Sequence, residues 1–427
     1  MDDRSGRPPL LALGFMCGTS LDGIDGSLIS VEKGTIRLLA FEESPFEPAF
    51  RQDMKDWISG RDRLEDPSRF MPDMANLLSR KEVRLGEILL EKAGLPSDLL
   101  CAVGTHGVTL RHHPIAHRLS FLSDAPEVGG VSYQLADPFP LARAFGAPVV
   151  SQFRGADLAA GGCGAPLAPV LHRAVFTAGE HRAFLNIGGI ANITFLPASG
   201  SGIPVTAFDT GPGNMLLDLA ILALTDGREP IDKNGERARR GTVLRPLLEI
   251  LLADPYFFRF PPKSTGREEW GEARLEEILS FLRSIGLDPH GRIDDLLATL
   301  TELTAEGIRK SLRFLASPPR LIVAGGGGVR NRFLMERIEV LTGIPVQESG
   351  EFGLPSQSIE SAAFAYLALL TLSGCPGAIK SVTGAREEAV LGQITPPPSG
   401  LSSDRIQNVR ERADIHLPFP DRPRTRG

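Results

Sequence analysis

The chain has 427 residues, which is too many for one ordinary hydrophobic core and suits two domains. Hydrophobic residues make up 42% of it and charged residues 23%, the usage of an ordinary soluble globular protein, so wholesale disorder is excluded. The formal net charge of -6 argues against nucleic acid as the main partner, because no basic field is available to neutralise phosphates.

The cysteines and the N-terminus bear on the compartment. The four cysteines are scattered and form no Cys-x-x-Cys pair, which is typical of reduced thiols rather than of a disulfide framework or a zinc site. The apolar run Leu10–Met16 lacks the flanking features of a signal peptide, and no stretch approaches the roughly 20 apolar residues of a membrane helix. The sequence therefore predicts a cytoplasmic protein with no membrane partner.

Short apolar runs that end in glycine alternate with helical patterns along the chain, which predicts an α/β layered fold. Two segments rich in Pro and Arg, 1–9 and 396–427, are expected to be disordered tails. The predicted strands are Leu11–Met16, Ala102–Thr105, Ala147–Ser151, Ala183–Ile187, Ile193–Leu196, Val205–Phe208 and Leu321–Ala324.

Two helices are clear from their periodicity. An apolar stripe from Leu296 to Leu315 predicts one helix, with Asp294 or Asp295 as its N-cap. The run Ile359–Leu372 predicts a second helix that stops before Gly374.

The first of three glycine-rich turns, Gly14–Gly26, directly follows a predicted strand. Its glycines are expected to take positive φ and to admit a phosphate to the backbone, and its carboxylates are candidate Mg²⁺ ligands. A tight hairpin stabilised by Asx and Ser/Thr turns is the alternative interpretation. The candidate ATP-binding residues here are Gly18, Thr19, Ser20, Leu21, Asp22, Gly23, Ile24 and Asp25, with Asp22 also a candidate metal ligand.

The second and third turns have the same character. Asp209 stands where a strand enters a Gly-Pro-Gly turn and is a candidate metal ligand, although an Asx-turn role is an open alternative. Four glycines, Gly325–Gly328, follow another predicted strand, an arrangement that serves either close ligand approach or simple packing. The candidate nucleotide-binding residues are Gly188, Gly189, Asn192, Asp209, Gly211, Gly213, Asn214, Gly326, Gly327 and Gly328.

Taken together, these motifs resemble those of the anhydro-N-acetylmuramic acid kinases, within the actin-like ATPase and sugar kinase superfamily, over roughly residues 10–395. The most specific stretches are Met16–Asp25, Thr105–Pro114, Gly161–Pro169, Leu185–Thr194, Phe208–Asp218, Pro262–Arg267 and Ser381–Gly392. The resemblance implies two ribonuclease H-like α/β domains with a cleft between them. Residues 10–155, completed by 380–395, are expected to form the first domain and 156–379 the second.

The resemblance also implies an activity. A member of this family opens the 1,6-anhydro ring of a recycled cell-wall amino sugar with water and phosphorylates O6 with ATP and Mg²⁺, giving N-acetylmuramic acid 6-phosphate and ADP. The chemistry needs a carboxylate to take the proton of the attacking water, and the matching position is Asp157. A helix-cap carboxylate, or one paired with Arg154, is the alternative for Asp157.

On the sugar side, the resemblance implies contacts from His106, Arg111, Gly164 and Glu360. The sequence departs from the family pattern at Val108 and Cys163, where Gln is usual, so the exact sugar is left open. A kinase of a different sugar and a non-catalytic ATP-binding regulatory protein are the remaining alternatives. The family tends toward dimers, and nothing in the sequence specifies an interface.

Overall fold

The computed structural model describes residues 8–18, 21–58, 67–118, 127–401, 407 and 409–412. The strands formed by these residues are β1 Leu10–Met16, β2 Gly23–Glu32, β3 Thr35–Pro45, β4 Leu100–Thr105, β5 Val108–His113, β6 His117–Arg118, β7 Glu127–Val128, β8 Val131–Leu135, β9 Val149–Ser151, β10 Arg182–Ile187, β11 Ile190–Leu196, β12 Thr206–Pro212, β13 Leu321–Gly325, β14 Val346–Glu348 and β15 Gln393–Thr395. The α-helices are α1 Pro48–Ile58, α2 Pro67–Ala93, α3 Pro138–Phe145, α4 Gly155–Ala159, α5 Pro169–Phe176, α6 Met215–Leu224, α7 Glu236–Arg240, α8 Arg245–Leu252, α9 Arg267–Trp270, α10 Glu272–Ser284, α11 Ile293–Ser311, α12 Arg332–Thr342, α13 Ile359–Leu372 and α14 Lys380–Thr383. No helix within the described ranges is long and apolar enough to cross a membrane.

The chain divides into two compact units. The first contains residues 1–175 and 358–427, and the second contains residues 176–357. These boundaries differ from the expected ones, because 156–175 and 358–379 lie in the first unit. The reason is that α13 packs on β1, β2 and β4, so that its residues belong to the core of the first unit.

The first unit is built on a six-stranded sheet with the strand order β15-β9-β4-β1-β2-β3. The strands β1, β2 and β3 are antiparallel neighbours, while β4 runs parallel to β1 and β9 parallel to β4. Helix α13 lies so close to this sheet that a Cβ on Gly14 would come within 2.1 Å of the Ser361 carbonyl oxygen. Glycine at this position therefore permits the contact between helix and sheet.

The second unit repeats this plan in a five-stranded sheet with the order β12-β11-β10-β13-β14. Again the first three strands are antiparallel neighbours, and the next two are parallel to the first. The shared order confirms the predicted class, an α/β protein with two ribonuclease H-like domains. The second unit has two clusters of buried side chains. One lies around α6, α10 and α11, and the other lies on the five-stranded sheet.

All seven predicted strands are present, and both predicted helices are confirmed as α11 and α13. The predicted N-cap is wrong, because α11 begins at Ile293 and Arg292 occupies the N-cap position. The two carboxylates make tertiary contacts instead. Asp294 pairs with Arg237 (2.9 Å), and Asp295 accepts from the Thr242 amide (2.7 Å).

Part of the expected C-terminal tail lies among the described residues. Residues 409–412 are helical, Val409 is buried, and Arg412 donates to the carbonyl oxygens of Pro8 and Pro9. This segment is therefore held against the beginning of β1.

Candidate functional site

Asp157, the predicted general base, is completely buried in the short helix α4 of the first unit. Its Oδ2 accepts a hydrogen bond from the backbone amide of Gly164 (2.7 Å), and its Oδ1 accepts one from the hydroxyl of Thr383 (2.7 Å). Neither alternative interpretation of this residue holds, because its side chain caps no helix and the Arg154 guanidinium donates elsewhere. The carboxylate is fixed by one donor on each oxygen.

The glycines beside Asp157 are explained by the carboxylate itself. A Cβ on Gly162 would lie 2.3 Å from Oδ2 of Asp157, which no side chain tolerates. Gly164 has a φ of +67° and packs against Leu158 and Arg154. Gly164 is predicted to contact the sugar, and the structure shows a second role, since its amide holds the Asp157 carboxylate.

His106, a predicted sugar contact, forms a pair with Arg154. Nε and Nη2 of the guanidinium donate to Nε2 of His106 (3.2 and 2.8 Å), and Nη1 donates to the Gly164 carbonyl (2.8 Å). Because Nε2 accepts, the ring is neutral and its Nδ1 donates to the carbonyl of Gly107 (2.9 Å). Burial, and then the charge of Arg154, lower the pKa of His106 to about 3.

Gly164 thus joins the His106–Arg154 pair to Asp157. Glu360, in the first turn of α13, interacts electrostatically with Arg154. Desolvation raises the pKa of Glu360, and the charge of Arg154 opposes that rise. Arg111 lies in β5 opposite Tyr133 and is exposed. No hydrogen bond or ion pair among the described residues joins Arg111 to the His106–Arg154 pair.

The first glycine turn is only partly described, because Thr19 and Ser20 lie outside the described residues. The expectation that Gly18 and Gly23 take positive φ is wrong, since in the described part of the turn Leu21 does so (φ 55°). A Cβ on Gly23 would instead meet the Ser44 carbonyl oxygen on β3 at 2.5 Å. The side chains of Leu21 and Ile24 are buried in the core, the Leu21 amide donates to the Gly18 carbonyl (3.1 Å), and Ile24 pairs with Ser44 of β3.

The two carboxylates of this turn differ. Asp22 is exposed and forms an ion pair with Arg51. Asp25 is half-buried, and desolvation, followed by the charges of Glu43, Glu360 and Asp22, raises its pKa to about 7. An ion pair already in place competes with a metal ion for Asp22, so the structure offers no support for Asp22 as a metal ligand.

In the second unit, the two segments of the second predicted turn, one around Gly188 and one around Gly213, meet. The amides of Gly213 and Asn214 donate to the carbonyls of Gly189 and Gly188 (2.8 Å each), and the Gly188 amide donates to Ile190 (3.1 Å). Three predicted phosphate-binding amides are therefore engaged within the turns. Asn192 lies opposite Asp209 in the β11–β12 ladder, and Gly211 has a φ of +138° beside the Phe257 ring.

The third turn packs against the second and opens toward a cavity. A Cβ on Gly326 or Gly328 would clash with Ile187, whereas one on Gly327 would meet only the end of Arg330, at 3.6 Å. The adjacent cavity has a volume of about 870 Å³ and lies entirely within the second unit. Its lining includes Asn214, Asp218, Lys233, Glu236, Gly327 and Arg330.

Asp209 lies in the middle of β12, not at the end of a strand as the sequence predicted, and belongs to a network that the sequence did not predict. Its Oδ2 accepts from the Thr265 amide (3.0 Å), and its backbone carbonyl accepts from the Tyr256 hydroxyl (2.7 Å). The Lys263 ammonium lies 4.5 Å from the centre of the Tyr256 ring. Burial raises the pKa of Asp209 to about 6, and the Thr265 amide and Lys263 oppose the rise.

Within the described ranges, no group of three or more His, Cys, Asp or Glu side chains could hold a metal ion. A Mg²⁺ ion in a kinase takes one or two carboxylates together with water and phosphate oxygens, so a single well-placed carboxylate suffices. Asp209 fits that requirement, because Oδ2 has one amide donor and the side chain carries no ion pair within hydrogen-bond distance in the described part of the chain.

Two residues of the site were not predicted, Arg154 as the partner of His106 and Thr383 as the partner of Asp157. The sequence offers Arg154 only as a partner for Asp157. Thr383 lies in one of the stretches that carry the resemblance, but nothing local to it indicates that its hydroxyl reaches a residue 226 positions away.

Comparison with known proteins gives a consistent result over nearly the whole chain. The family model described as anhydro-N-acetylmuramic acid kinase matches residues 10–397. An anhydro-N-acetylmuramic acid kinase of Variovorax paradoxus (strain S110) is 41% identical over 392 residues, which are 90% of this chain and 99% of that protein. One of Cupriavidus pinatubonensis (strain JMP 134 / LMG 1197) is 40% identical over 389 residues, 90% of this chain and 98% of that protein. Among solved structures, ligand-bound xylulose kinase from Lactobacillus acidophilus has a TM-score of 0.43 at 9% identity, covering 95% of this chain and 96% of that one.

Proposed function

The chain belongs to the anhydro-N-acetylmuramic acid kinase family, and on that premise we propose that it opens the 1,6-anhydro ring of anhydro-N-acetylmuramic acid with water and phosphorylates O6 with ATP. The products are N-acetylmuramic acid 6-phosphate and ADP, as in the recycling of cell-wall sugars. The observation that carries the proposal in this chain is the buried Asp157 carboxylate, held on both oxygens beside the His106–Arg154 pair.

In the proposed reaction, Asp157 is the general base. Water oxygen bonds to C1 as the C1–O6 bond breaks, and the proton of that water passes to Asp157. O6 then bonds to the γ-phosphorus of ATP as ADP leaves. A carboxylate has about four acceptor positions, so the donors Gly164 and Thr383 leave one on each oxygen for the water.

The His106–Arg154 pair has a binding role in this scheme. Both nitrogens of His106 are engaged, one with Arg154 and one with the Gly107 carbonyl, so the ring is not a proton shuttle. Its position fixes Arg154, a half-buried cation, next to the Gly164 carbonyl. A cation in that place suits the lactyl carboxylate of the sugar, because a guanidinium recognises a carboxylate in planar geometry.

We place the adenosine part of ATP in the cavity of the second unit. The support is its position between Asn214, which begins α6, and the third glycine turn, where Gly327 leaves the backbone open. Mg²⁺ neutralises phosphate charge when bound, and Asp209 is the carboxylate that we propose to hold it. The compartment we propose is the cytoplasm, which agrees with four free cysteines, three of them buried.

The test is ADP release by the full chain with ATP, Mg²⁺ and 1,6-anhydro-N-acetylmuramic acid, comparing the wild type with Asp157→Asn. We expect sugar-dependent turnover in the wild type and a loss of roughly 10²–10⁴-fold in the variant, because an amide cannot take the proton. Run in ¹⁸O-labelled water, the wild type should place the label at C1.

The matched control is Asp137→Asn. Asp137 lies in the same unit and caps α3 through the Phe139 amide, a role that Asn fills equally well, so its turnover should match the wild type. A different sugar that raises turnover when the anhydro sugar does not would redirect the substrate assignment. Turnover that ignores every sugar would overturn the proposal.

A further inference from the structure

The segment 157–164, which begins in α4 with Asp157, is held by a distant part of the chain, residues 383–386, which begin at the last residue of α14. Besides the Thr383–Asp157 hydrogen bond, the Cys163 amide donates to the Thr383 carbonyl (2.8 Å), and the Arg386 amide donates to the Ala160 carbonyl (3.0 Å). Three contacts therefore join residues 383–386 to the segment 157–164, and two of them involve Thr383.

We propose that Thr383 is a positioning residue for the reaction, and that its hydroxyl sets the plane in which the Asp157 carboxylate meets the water. The inference rests on the proposed function, since the role of Asp157 as a base is itself proposed. Thr383 is buried, with 1% of its surface exposed, and acts only through Asp157.

The physical reason is the rotation of a carboxylate about its Cβ–Cγ bond. That torsion is broad and soft, so a single donor at one oxygen allows the plane to turn. Gly164 is a donor at Oδ2 and Thr383 a donor at Oδ1, and together they fix the plane. Proton transfer from an attacking water needs the free acceptor position to point at that water, so loss of the second donor misaligns the base.

The same contacts explain why the hydroxyl is available. Thr383 is the last residue of α14, and Gly384 takes a left-handed φ of +78°, which ends the helix. The turn reverses the direction of the chain, so that Ala385 lies against Gly162. A Cβ on Gly162 would lie 3.0 Å from the Cβ of Ala385. The backbone of Thr383 is thereby anchored to Cys163 independently of its side chain.

The experiment measures kcat and KM for the anhydro sugar in Thr383→Val, which has the same shape without the donor. We expect kcat to fall by about 10–100-fold while KM changes by less than about 3-fold, because the hydroxyl touches the base and not the substrate. Thr383→Ser keeps the hydroxyl and should stay within about 3-fold of the wild-type kcat.

The matched control is Thr371→Val. Thr371 is also buried in the first unit, and its hydroxyl donates to the carbonyls of Leu367 and Leu391 (2.9 and 2.6 Å). Its removal should lower the melting temperature by about as much as Thr383→Val and leave kcat unchanged. Should Thr383→Val fail to fold, Thr383→Cys has a similar size and a weaker donor, and the same expectation holds with a smaller loss.

The variants are also combined with Asp157→Asn. Once the base is gone its orientation has no effect, so Asp157→Asn with Thr383→Val should retain the residual rate of Asp157→Asn alone. If Asp157→Asn collapses while folded Thr383→Val keeps the wild-type kcat, the positioning inference fails and the proposed function stands. A Thr383→Ser loss equal to that of Thr383→Val also overturns it. Wild-type turnover in Asp157→Asn overturns the base and this inference together.

Discussion

Glu82 on α2 is a buried acid with an unusual environment. Its Oε1 accepts from the Thr105 hydroxyl (2.8 Å), while its Oε2 has no hydrogen-bond partner among the described residues. Burial raises the pKa of Glu82 to about 8, against a small opposing effect of the Thr105 bond. The carboxyl is therefore uncharged at physiological pH. Its hydrogen-bond partner, Thr105, directly precedes His106 in the sequence.

We predict that Glu82→Gln becomes increasingly stable relative to the wild type as the pH rises from 5 to 8. Between its ordinary pKa and about 8, the folded state holds a proton that the unfolded state releases, so the wild-type free energy of unfolding falls with pH in this window. The uncharged amide does not titrate. Urea unfolding at pH 5, 6.5 and 8 should show the difference growing by about 3 kcal/mol, since one unit of pKa difference corresponds to about 1.4 kcal/mol.

A suitable comparison for this variant is Glu91→Gln on the same helix. Glu91 is exposed, so its substitution should produce no trend with pH. A difference between Glu82→Gln and the wild type that stays flat from pH 5 to 8 would show that Glu82 titrates alike in both states.

At the scale of elements, the contact between α13 and the first sheet depends on glycines that carry no side chain. A Cβ on Gly104 of β4 would lie 2.2 Å from the Phe364 carbonyl oxygen, and one on Gly14 of β1 would lie 2.4 Å from the Ala365 amide nitrogen. These atoms belong to the helix backbone, so no rotamer change relieves the contact. The helix must move away from the sheet if either glycine gains a side chain.

Gly104→Ala is therefore expected to destabilise the protein by about 1–3 kcal/mol through overpacking. The measurement is the free energy of unfolding in urea, with Gly129→Ala as the control. Among the described residues, a Cβ on Gly129 has no neighbour within 4 Å, so that change should stay within about 0.5 kcal/mol. Equal stabilities of the two variants would contradict the close packing of α13.

The elements that sequence analysis could predict are those with a local signal. Every predicted strand is an apolar run, and α13 after Glu360 is a run of apolar and small residues. The strands β2 and β3 were missed, because Gly23, Asp25 and Gly26 at the start of β2 have the composition of a turn. Tertiary packing explains the glycine at position 26, since a Cβ on Gly26 would meet Leu85 and Leu89 of α2 at 2.9 Å.

The candidate site divides in the same way. The glycine turns and Asp157 can be predicted, because their motifs are contiguous and carry the resemblance. The partnerships of Thr383 with Asp157 and of Arg154 with His106 join residues 226 and 48 positions apart, so only the folded chain brings them together. In the described part of the first glycine turn, Leu21 takes the positive φ and the glycines do not, which the composition of the turn does not indicate.

At the scale of the whole molecule, the two units differ in how the chain forms them. The second unit is one continuous segment, 176–357, that contains both of its hydrophobic clusters. The first unit needs two segments, because α13 and β15 come from beyond residue 357 and pack with β1, β4 and β9.

We predict that residues 176–357, produced alone, fold cooperatively, whereas residues 1–175 alone do not. The fragment 176–357 retains its whole sheet and core, while the fragment 1–175 lacks α13, the helix that covers Gly14 and Gly104. Circular dichroism during urea titration tests both fragments. A gradual, non-cooperative loss of signal from 176–357 would contradict the independence of the second unit, and a sharp transition from 1–175 would contradict the need for α13.

The split of the first unit has a consequence for synthesis on the ribosome. The strands β1 and β4 emerge early, but α13, α14 and Thr383 leave the ribosome only after the roughly 180 residues of the second unit have been added. At about 5–20 residues per second, that interval is on the order of 10–40 s. During this time the nascent chain displays the sheet face that α13 later covers, and exposed apolar surface of this kind favours aggregation. The donor for Oδ1 of the proposed base thus arrives only after the whole second unit, and a polypeptide cut short before Thr383 has no complete site.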